Sequence, residues 1–400
     1  MGNDVQELEL KAAYPAVTEE RLAWLGLALT PGLGPRRILR SIEKAGSARR
    51  LLDMPLTELE ALNLPAQAAQ FVNSGMARKV ADEELERMTQ TGAGFLTHRD
   101  DAYPARLQEI FDAPPVLWLR GDASLLSRHS IAVVGTRHPT PYGTGMAEML
   151  ARDLSVHGLL IVSGMARGVD TAAHKGALAA KKPTLAVWGT GVDVIYPKEN
   201  KALAEQIIGT GGAIISEMPL GTFPAPQNFP KRNRILSGLS VGVLVVEGGE
   251  FSGTRVTARC AIEQNRDVFA VPGNVTNKNA WGPNTLIKQG AKLTATWEDV
   301  WEELPTDVRL ELESAQGIAS EGESAASLFV DKPLPPAEAS LLRLLRHDEA
   351  LQMEEILEKL EGEMSSSEIF TTLFELELAG RIRQLPGKNY VKSFPAALKD

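Results

Sequence analysis

Cysteine and long apolar runs are nearly absent from this sequence of 400 residues, and each absence excludes a class of protein. The single cysteine, Cys260, excludes an intrachain disulfide bond and a zinc site built from several thiolates. No stretch approaches the ~18 consecutive apolar residues of a membrane-spanning helix. The start of the sequence also lacks the basic region and apolar run of a secretory signal. We therefore expect a cytoplasmic protein that does not contact a membrane.

Positive charge is scarce as well, because 42 lysines and arginines stand against 51 acidic residues and the net charge is −9. Such a balance argues at first against nucleic acid as a partner. The imbalance is local, however. Residues 298–323 contain nine acidic residues and one arginine, and so hold eight of the nine excess negative charges. Local basic patches therefore matter more than the sum.

The length predicts two to four domains, and hydrophobic periodicity divides the chain into four regions. Residues 1–92 predict a small helical domain, similar to sterile-alpha-motif or helix-hairpin-helix modules. Residues 93–304 alternate short apolar runs with amphipathic stretches, which predicts an α/β fold with an extended Rossmann-like, doubly wound, mostly parallel sheet. Residues 305–335, rich in Ser, Ala, Glu, Gly and Pro, predict a flexible acidic linker. Residues 336–396 predict a winged-helix domain of three helices and a hairpin. The predicted strands are Ser130–Val134, Leu159–Ser163, Thr184–Trp188, Ala213–Ser216, Val241–Val246 and Val268–Val271.

A glycine-containing joint, Thr30-Pro31-Gly32-Leu33-Gly34-Pro35, separates two predicted helices of the first region. A helix–Gly-x-Gly–helix joint can present backbone N–H groups to phosphate, as helix-hairpin-helix modules do. It can equally be a tight turn between packed helices. The sequence leaves both interpretations open.

Glycine or a small hydroxyl residue follows nearly every predicted strand. Ligands of doubly wound sheets bind beyond the carboxyl ends of the strands, and glycine lets the backbone approach an anion and frees N–H groups to face it. Several such turns on one sheet edge predict a long, backbone-lined anion cleft. The turns are Gly135-Thr136-Arg137, Ser163-Gly164-Met165-Ala166-Arg167-Gly168, Gly189-Thr190-Gly191, Ser216-Glu217, Glu247-Gly248-Gly249 and Pro272-Gly273-Asn274.

The segment Gln227-Asn228-Phe229-Pro230-Lys231-Arg232-Asn233-Arg234-Ile235 groups three cations and side-chain amides around one aromatic ring. Guanidinium groups bind phosphate oxygens through paired N–H donors, and a flat ring offers a stacking surface for a base. Arg137 and Arg167 follow strands directly, so we expect them to face the same cleft. Phe251 is a second candidate for stacking. For any one arginine the alternative is an ion pair with Glu217, Glu247 or Asp170.

Enzymatic alternatives have weaker support. Asp170 and His174 are four residues apart on a predicted helix, a spacing that suits a metal or an acid–base pair, but no third ligand is evident and Asp170 suits a helix start. Glu217 and Glu247 are further acid candidates. Neither the dinucleotide fingerprint nor a Walker lysine motif is present. The sequence therefore predicts no cofactor, no metal and no catalytic residue.

The order and spacing of the motifs over residues 93–300 resemble the DNA-processing protein A (DprA/Smf) family. The motifs are Ile131-Ala132-Val133-Val134-Gly135-Thr136-Arg137, Ser163 through Asp170 with His174, Tyr196-Pro197-Lys198-Glu199-Asn200, Phe229 through Ile235, Ser252-Gly253-Thr254 through Thr257-Ala258, Pro272-Gly273 and Gly290-Ala291. The usual Gly-Ser-Arg of the family reads Gly-Thr-Arg here, which keeps a hydroxyl group.

The resemblance implies a non-enzymatic protein that binds single-stranded DNA as a homodimer and loads RecA during natural transformation. Single-stranded-DNA-binding protein is a further candidate partner. By motif, Arg137 would contact phosphate and the Ser163-Gly164 backbone would form a cradle. Together, the turns, the basic segment and the resemblance predict DNA contacts at Gly135, Arg137, Ser163, Gly164, Arg167, Gly189, Asn228, Phe229, Lys231, Arg232, Asn233, Arg234, Ser252, Gly253 and Thr254.

Two alternatives stay open. The Glu247–Thr254 segment looks like the glycine-rich loop of nucleoside-monophosphate phosphoribohydrolases of the lysine-decarboxylase-like group, but Thr257 stands where that loop has its glutamate. The winged helix, in turn, could read duplex DNA or contact protein. Its hairpin is basic, whereas its third helix carries Glu375 and Glu377 and would repel phosphate, which favours protein contact or an accessory contact by the hairpin.

Overall fold

A computed structural model of the protein describes residues 14–250, 252–315, 335–347 and 349–393. The amino-terminal part of these residues is helical, as predicted. Thr18 begins the first helix by accepting a hydrogen bond from the backbone N–H of Arg21 through its hydroxyl oxygen. The helices are α1 (Glu19–Ala28), α2 (Pro35–Ala45), α3 (Ala48–Asp53), α4 (Leu56–Ala61), α5 (Ala66–Asn73) and α6 (Met76–Thr91).

The middle of the chain forms one nine-stranded sheet in the order β1-β2-β6-β5-β4-β3-β7-β8-β9. Strands β3 to β9 are mutually parallel, while β2 runs antiparallel to β6 and β1 antiparallel to β2. The predicted doubly wound, mostly parallel sheet is confirmed. The strands are β1 (Gly94–Thr97), β2 (Val116–Gly121), β3 (Ser130–Val134), β4 (Leu160–Ser163), β5 (Thr184–Trp188), β6 (Ala213–Ser216), β7 (Gly242–Val245), β8 (Asp267–Ala270) and β9 (Lys292–Leu293).

Helices cover both faces of this sheet because every second strand residue points to the opposite face. Ile131 and Val133 pack with the helices at Pro141–Val156 and Val169–Ala179. Ala132 and Val134 pack with the helices at Asn228–Leu239 and Thr254–Glu263. The helices of this region are α7 (Ala105–Gln108), α8 (Pro141–Val156), α9 (Val169–Ala179), α10 (Lys201–Gly209), α11 (Asn228–Leu239), α12 (Thr254–Glu263), α13 (Trp281–Lys288), α14 (Glu298–Trp301) and α15 (Thr306–Ala315).

The strand order reverses at β3. The chain continues from β3 through β4 and β5 to β6 on one side, and then returns to place β7, β8 and β9 on the other side. The loops after the neighbouring strands β3 and β7 therefore lead to opposite sides of the sheet and leave a crevice between them at the carboxyl edge. This is the position where doubly wound sheets bind their ligands.

Residues 306–315, which the sequence-based prediction assigns to the linker, form a helix. Helix α15 occupies Thr306–Ala315, and its Val308 and Leu312 are buried in the core with α8 and α9. Two apolar residues four apart on one helical face are enough to anchor this acidic helix on the domain. Residues 316–334, the rest of the predicted linker, lie outside the described part of the chain.

The carboxy-terminal region is a winged-helix domain, as predicted. Three helices enclose a small core against a sheet of order β10-β12-β11. Its elements are α16 (Pro336–Leu344), β10 (Leu351–Gln352), α17 (Met353–Lys359), α18 (Ser366–Leu378), β11 (Ile382–Leu385) and β12 (Asn389–Lys392). Among the described residues, no helix combines the length and apolarity needed to cross a bilayer.

A buried carboxylate joins the helical region to the sheet. Glu84 on α6 is fully buried, and its Oε1 accepts hydrogen bonds of 2.8 Å from the indole N–H of Trp118 and of 2.8 Å from the backbone N–H of Leu220. Its second oxygen pairs with Arg87. Burial raises the pKa of Glu84, although the three donors oppose that shift.

This joint predicts different effects for two substitutions of Glu84. Glu84→Ala leaves the Trp118 and Leu220 donors buried without an acceptor and should lower the free energy of unfolding by about 3 kcal/mol. Glu84→Gln keeps Oε1 for both donors but puts an amide N–H group in place of the oxygen beside Arg87, so it should cost less, about 1 kcal/mol. Urea unfolding monitored by tryptophan fluorescence measures both changes. Equal losses for the two variants would contradict this description of the joint.

Candidate nucleic-acid interface

An open groove of about 1240 Å³ lies at the carboxyl edge of the sheet, where the strand order reverses. Most of its lining residues come from the loop after β3, the loop after β7 with the start of α12, the first turns of α11 and the start of α13. Ala166, Asp170 and Tyr196 also line it. The predicted site residues that line it are Gly135, Arg137, Phe229, Arg232, Asn233, Ser252, Gly253 and Thr254.

Aromatic and cationic groups meet at the floor of the groove. The ring of Phe229 lies against Gly189, where an added Cβ would come within 3.1 Å of the ring. Tyr196 is tilted toward it with a centroid distance of 5.6 Å. The guanidinium carbon of Arg137 is 5.7 Å from the Phe229 centroid, and Arg137 itself is exposed. Flat rings beside an unburied guanidinium can stack a base and hold its phosphate.

Two buried groups of opposite charge, Asp170 and Arg232, lie beneath this floor. The Asp170 carboxylate accepts hydrogen bonds from the backbone N–H groups of Gly164 (3.1 Å) and Ala166 (3.2 Å). Burial raises the pKa of Asp170 and lowers the pKa of Arg232, and the attraction between the two opposes both shifts. The Arg232 guanidinium packs directly on Gly164 and donates to the carbonyl oxygen of Val187 over 2.7 Å.

These contacts change the roles predicted for the turn after β4. The N–H of Gly164, expected to cradle phosphate, is already occupied by Asp170. The hydroxyl of Ser163 is buried and donates to the carbonyl oxygen of Val133 over 2.7 Å. Gly164 is glycine because any side chain there would collide with Arg232. Ser163, Gly164 and Arg232 therefore build the site instead of offering free donors to a ligand.

The basic segment divides between two faces of α11, contrary to the sequence-based expectation. Phe229 and Asn233 face the groove. Arg234 points away from it and pairs with Glu217 and, over 3.1 Å, with Asp112, which is the ion-pair alternative considered above. Lys231 is exposed and lies near Glu217, outside the groove lining. Asn228 is buried at the helix start.

Arg167 lies beside the groove and is paired. Its guanidinium contacts Glu199 over 2.5 Å at the surface, and the two side chains are about half exposed. It also lines a small recess that opens beside Phe229 and Tyr196. An exposed ion pair contributes little to stability, so Arg167 can exchange Glu199 for a phosphate at small cost.

Sequence reasoning missed the far end of the groove. Lys278 is exposed there, and Trp281 is 39% exposed with the Arg255 guanidinium 5.5 Å from its ring centroid. Glu250, an acidic residue, also lines this end. Neither Lys278 nor Trp281 belongs to a glycine turn or a basic run, so their sequence context gave no signal. Phe251 lies outside the described residues.

The acid–base candidates are committed to structural hydrogen bonds. Glu247 is buried and accepts from the N–H (2.9 Å) and the hydroxyl (2.6 Å) of Thr140 at the start of α8. His174 is buried, and its Nδ1 donates to the Thr184 hydroxyl over 2.8 Å, since that hydroxyl already donates to Ile161. Among the described residues, no cluster of three or more His, Cys, Asp or Glu side chains could hold a metal ion.

The environment of His174 predicts a pH dependence of stability. Burial lowers the pKa of His174 to about 3, whereas an unfolded histidine titrates near pH 6.5. As the pH falls below about 6.5, the unfolded state gains a proton that the folded state cannot accept, and stability falls by about 1.4 kcal/mol per pH unit.

Between pH 7.5 and pH 5.0 the wild type should therefore lose about 2 kcal/mol more stability than His174→Gln. Urea unfolding of both proteins at several pH values gives this difference. A difference in stability that stays constant with pH would show that His174 takes up a proton in the folded state.

The chain is similar in sequence to known proteins. The family model described as DNA recombination-mediator protein A matches residues 94–305, and the model described as DprA winged helix domain matches residues 327–388. The chain is 37% identical over 326 residues to Protein Smf of Escherichia coli (strain K12), which covers 82% of this chain and 84% of that protein. It is 46% identical over 222 residues to DNA processing protein DprA of Bacillus subtilis (strain 168), covering 55% of this chain and 74% of that protein.

The fold agrees with the sequence relationship. The X-ray structure of DNA processing protein A (DprA) from Streptococcus pneumoniae superimposes with a TM-score of 0.64 at 34% sequence identity. It covers 73% of this chain and 99% of that chain. The chain therefore belongs to the DNA recombination-mediator protein A family, whose members are also named DprA or Smf.

Proposed function

We propose that the protein binds single-stranded DNA in the groove at the carboxyl edge of its sheet. The observation that carries this proposal is the cluster of Arg137, Phe229 and Tyr196 on the groove floor. It combines an exposed guanidinium with two aromatic rings within 6 Å of each other. Base stacking on such rings requires bases that are not paired in a duplex.

The shape of the groove favours a polymer over a mononucleotide. It is open along its length and runs from the floor cluster to Lys278 and Trp281 at the far end. Cations and aromatic rings occur at both ends, as a strand of several nucleotides would need. Backbone turns between them allow close approach without reading base edges, so binding should depend little on sequence.

The biological role that we propose is that of a recombination mediator in natural transformation. The family description names recombination mediation, and relatives in Bacillus subtilis and Streptococcus pneumoniae are named DNA processing proteins. On this basis the protein acts as a homodimer on single-stranded DNA and loads RecA, with single-stranded-DNA-binding protein as a further partner. Sedimentation with RecA in the presence and absence of DNA tests these assignments.

We also propose that the protein is not a catalyst. The hydrolase alternative requires an acid at the position of Thr257, and this threonine is buried on α12. Glu247, the first residue of that motif, holds the start of α8 through Thr140. Release of free base from a nucleoside monophosphate by the purified protein would favour the hydrolase instead.

The groove predicts that removal of Arg137 weakens DNA binding in a salt-dependent way. Arg137→Ala should reduce the affinity for a single-stranded oligonucleotide roughly tenfold, because one charge-assisted contact is lost. The slope of log K against log salt should become shallower by about 0.7, the value for one phosphate on a single strand. Fluorescence anisotropy at several salt concentrations measures both quantities.

Two further variants separate charge from stacking. Phe229→Leu should lower the affinity by a similar factor without changing the salt slope, because stacking releases no counterions. Lys182→Ala is the matched control. Lys182 is an exposed cation just before β5, so it lies at the amino ends of the strands, at the sheet edge opposite the groove. An unchanged affinity for Arg137→Ala, or an equal loss for Lys182→Ala, would contradict a site in this groove.

The winged helix favours protein contact over duplex reading. Its third helix, α18, exposes Phe370, Phe374 and Leu378 in one stripe, with exposures of 49%, 62% and 73%, beside two glutamates. The hairpin cations are also partly engaged, because Arg381 lies 3.7 Å from Glu338 and Arg383 lies 3.5 Å from Glu148 on α8. An apolar, acidic helix is poorly suited to the major groove.

The double variant Arg381→Ala/Lys388→Ala should therefore keep its affinity for duplex DNA within about twofold of the wild type. If the hairpin does not contact the duplex, removing its cations takes away no phosphate contact. Anisotropy with a duplex oligonucleotide at fixed salt provides the measurement. A loss of about tenfold or more, as expected when phosphate contacts are removed, would instead assign the hairpin to the duplex.

A further inference from the structure

The helical amino-terminal region contains the strongest local concentration of positive charge that the site described above does not use. Residues 36–50 hold six cations and one acid, a net charge of +5 within a chain whose net charge is −9. We call these six side chains the basic patch: Arg36, Arg37, Arg40, Lys44, Arg49 and Arg50. Five of the six are arginine, the side chain whose planar donors match phosphate oxygens.

The fold presents the basic patch to solvent. Ile38, Ile42 and Ala45 bury one face of α2 in the core, so the cations of that helix project from the opposite face. All six cations are exposed. Within the described residues, none of them forms an ion pair. A cluster of unpaired like charges stores repulsion that an anionic ligand would relieve.

A stacked aromatic residue marks one end of the basic patch. The guanidinium carbon of Arg36 lies 3.4 Å from the ring centroid of Phe111, and Phe111 is 73% exposed. Because most of this ring stays in contact with water, it contributes little to the stability of the fold. Together, the ring and the guanidinium repeat the chemistry of the groove floor, where Arg137 lies beside Phe229.

The basic patch is connected to the groove through α11. Asp112, next to Phe111, pairs over 3.1 Å with Arg234 on the face of α11 that points away from the groove. Exposed Lys231 belongs to the same side of that helix. Leu39 of α2 packs against both the core of the helical region and the core that contains α11, which fixes the position of α2 relative to that helix. The residue next to Phe111 therefore contacts the same helix that carries Phe229.

We propose that the basic patch and Phe111 form a second contact region for the strand that occupies the groove. In this arrangement the arginines bind phosphates, Phe111 and Arg36 stack a base, and Lys231 lies between the two regions. The inference rests on the proposed function, because it extends the path of the same single strand. Stacking on Phe111 favours nucleic acid over an acidic peptide, which supplies carboxylates but no bases.

Oligonucleotides of two lengths test the second contact region. One of about 6 nucleotides is near the lower end of single-strand site sizes and fills only the groove, whereas one of roughly 20 nucleotides reaches the basic patch. Arg37→Ala/Arg40→Ala should bind the short strand like the wild type. It should bind the long strand at least about tenfold more weakly, with a salt slope shallower by about 1.4 because two phosphate contacts are lost. Phe111→Ala should weaken only the long strand and keep the salt slope.

The matched control is Lys182→Ala/Lys288→Ala, which removes two exposed cations that precede parallel strands and lie at the opposite sheet edge. The inference is overturned if the arginine variant binds the long strand like this control, or loses affinity equally for both lengths. It is also overturned if poly-glutamate displaces the long strand from the wild type as effectively, per charge, as competing DNA does.

Failure of this inference is distinguishable from failure of the proposed function. If Arg137→Ala weakens both oligonucleotides while Arg37→Ala/Arg40→Ala weakens neither, the groove binds DNA and the basic patch does not. If Arg137→Ala has no effect on either length, the groove assignment itself fails.

Discussion

The candidate site depends on two buried charges that attract each other, Asp170 and Arg232. Asp170 at the start of α9 accepts two backbone N–H groups from the turn after β4, and Arg232 of α11 lies on Gly164 of that turn while donating to Val187 on β5. Two charges removed from water are costly to bury unless each is paired and hydrogen-bonded. Asp170 and Arg232 attract each other, and each is hydrogen-bonded to backbone at the sheet edge, so together they fix α11 there. The position of the Phe229 ring over Gly189 follows from this, because Phe229 lies three residues before Arg232 on the same helix.

The pair also explains why a basic motif in an acidic protein does not behave as a simple cluster of cations. The three cations of Lys231-Arg232-Asn233-Arg234 have three different environments. Arg232 is buried below the groove, Arg234 is paired with Glu217 and Asp112, and Lys231 is exposed on the far side. Free positive charge in the groove comes instead from Arg137 and Lys278, which belong to separate loops. DNA affinity should therefore arise from a few cations placed beside aromatic rings, not from the total charge.

Much of the fold could be predicted from the sequence, because strands buried on both faces are continuous apolar runs and the intervening helices keep a 3.6-residue period. The antiparallel strands β1 and β2 were not predicted, since they precede the strand–helix alternation, and β9 has only two residues. Helix α15 was mistaken for linker because two buried side chains, Val308 and Leu312, are a weak signal among acidic neighbours.

For the site, the sequence predicted the correct sheet edge but not the direction of each side chain. Helical periodicity places Lys231 and Arg234 on a different face from Phe229 and Asn233, yet only tertiary packing decides which face meets the groove. Tyr196 and Trp281 were missed for a related reason, because they reach the groove from segments that are far apart in sequence.

Photochemical crosslinking shows whether an unpaired strand lies across the floor of the groove. A single-stranded oligonucleotide that carries 5-iodouracil is bound to the full-length protein, irradiated, and digested for mass spectrometry. If the strand lies on the floor, crosslinks form in the peptides that contain Phe229 or Tyr196, whose rings are 5.6 Å apart there. Crosslinks found only in peptides that do not line the groove would contradict it.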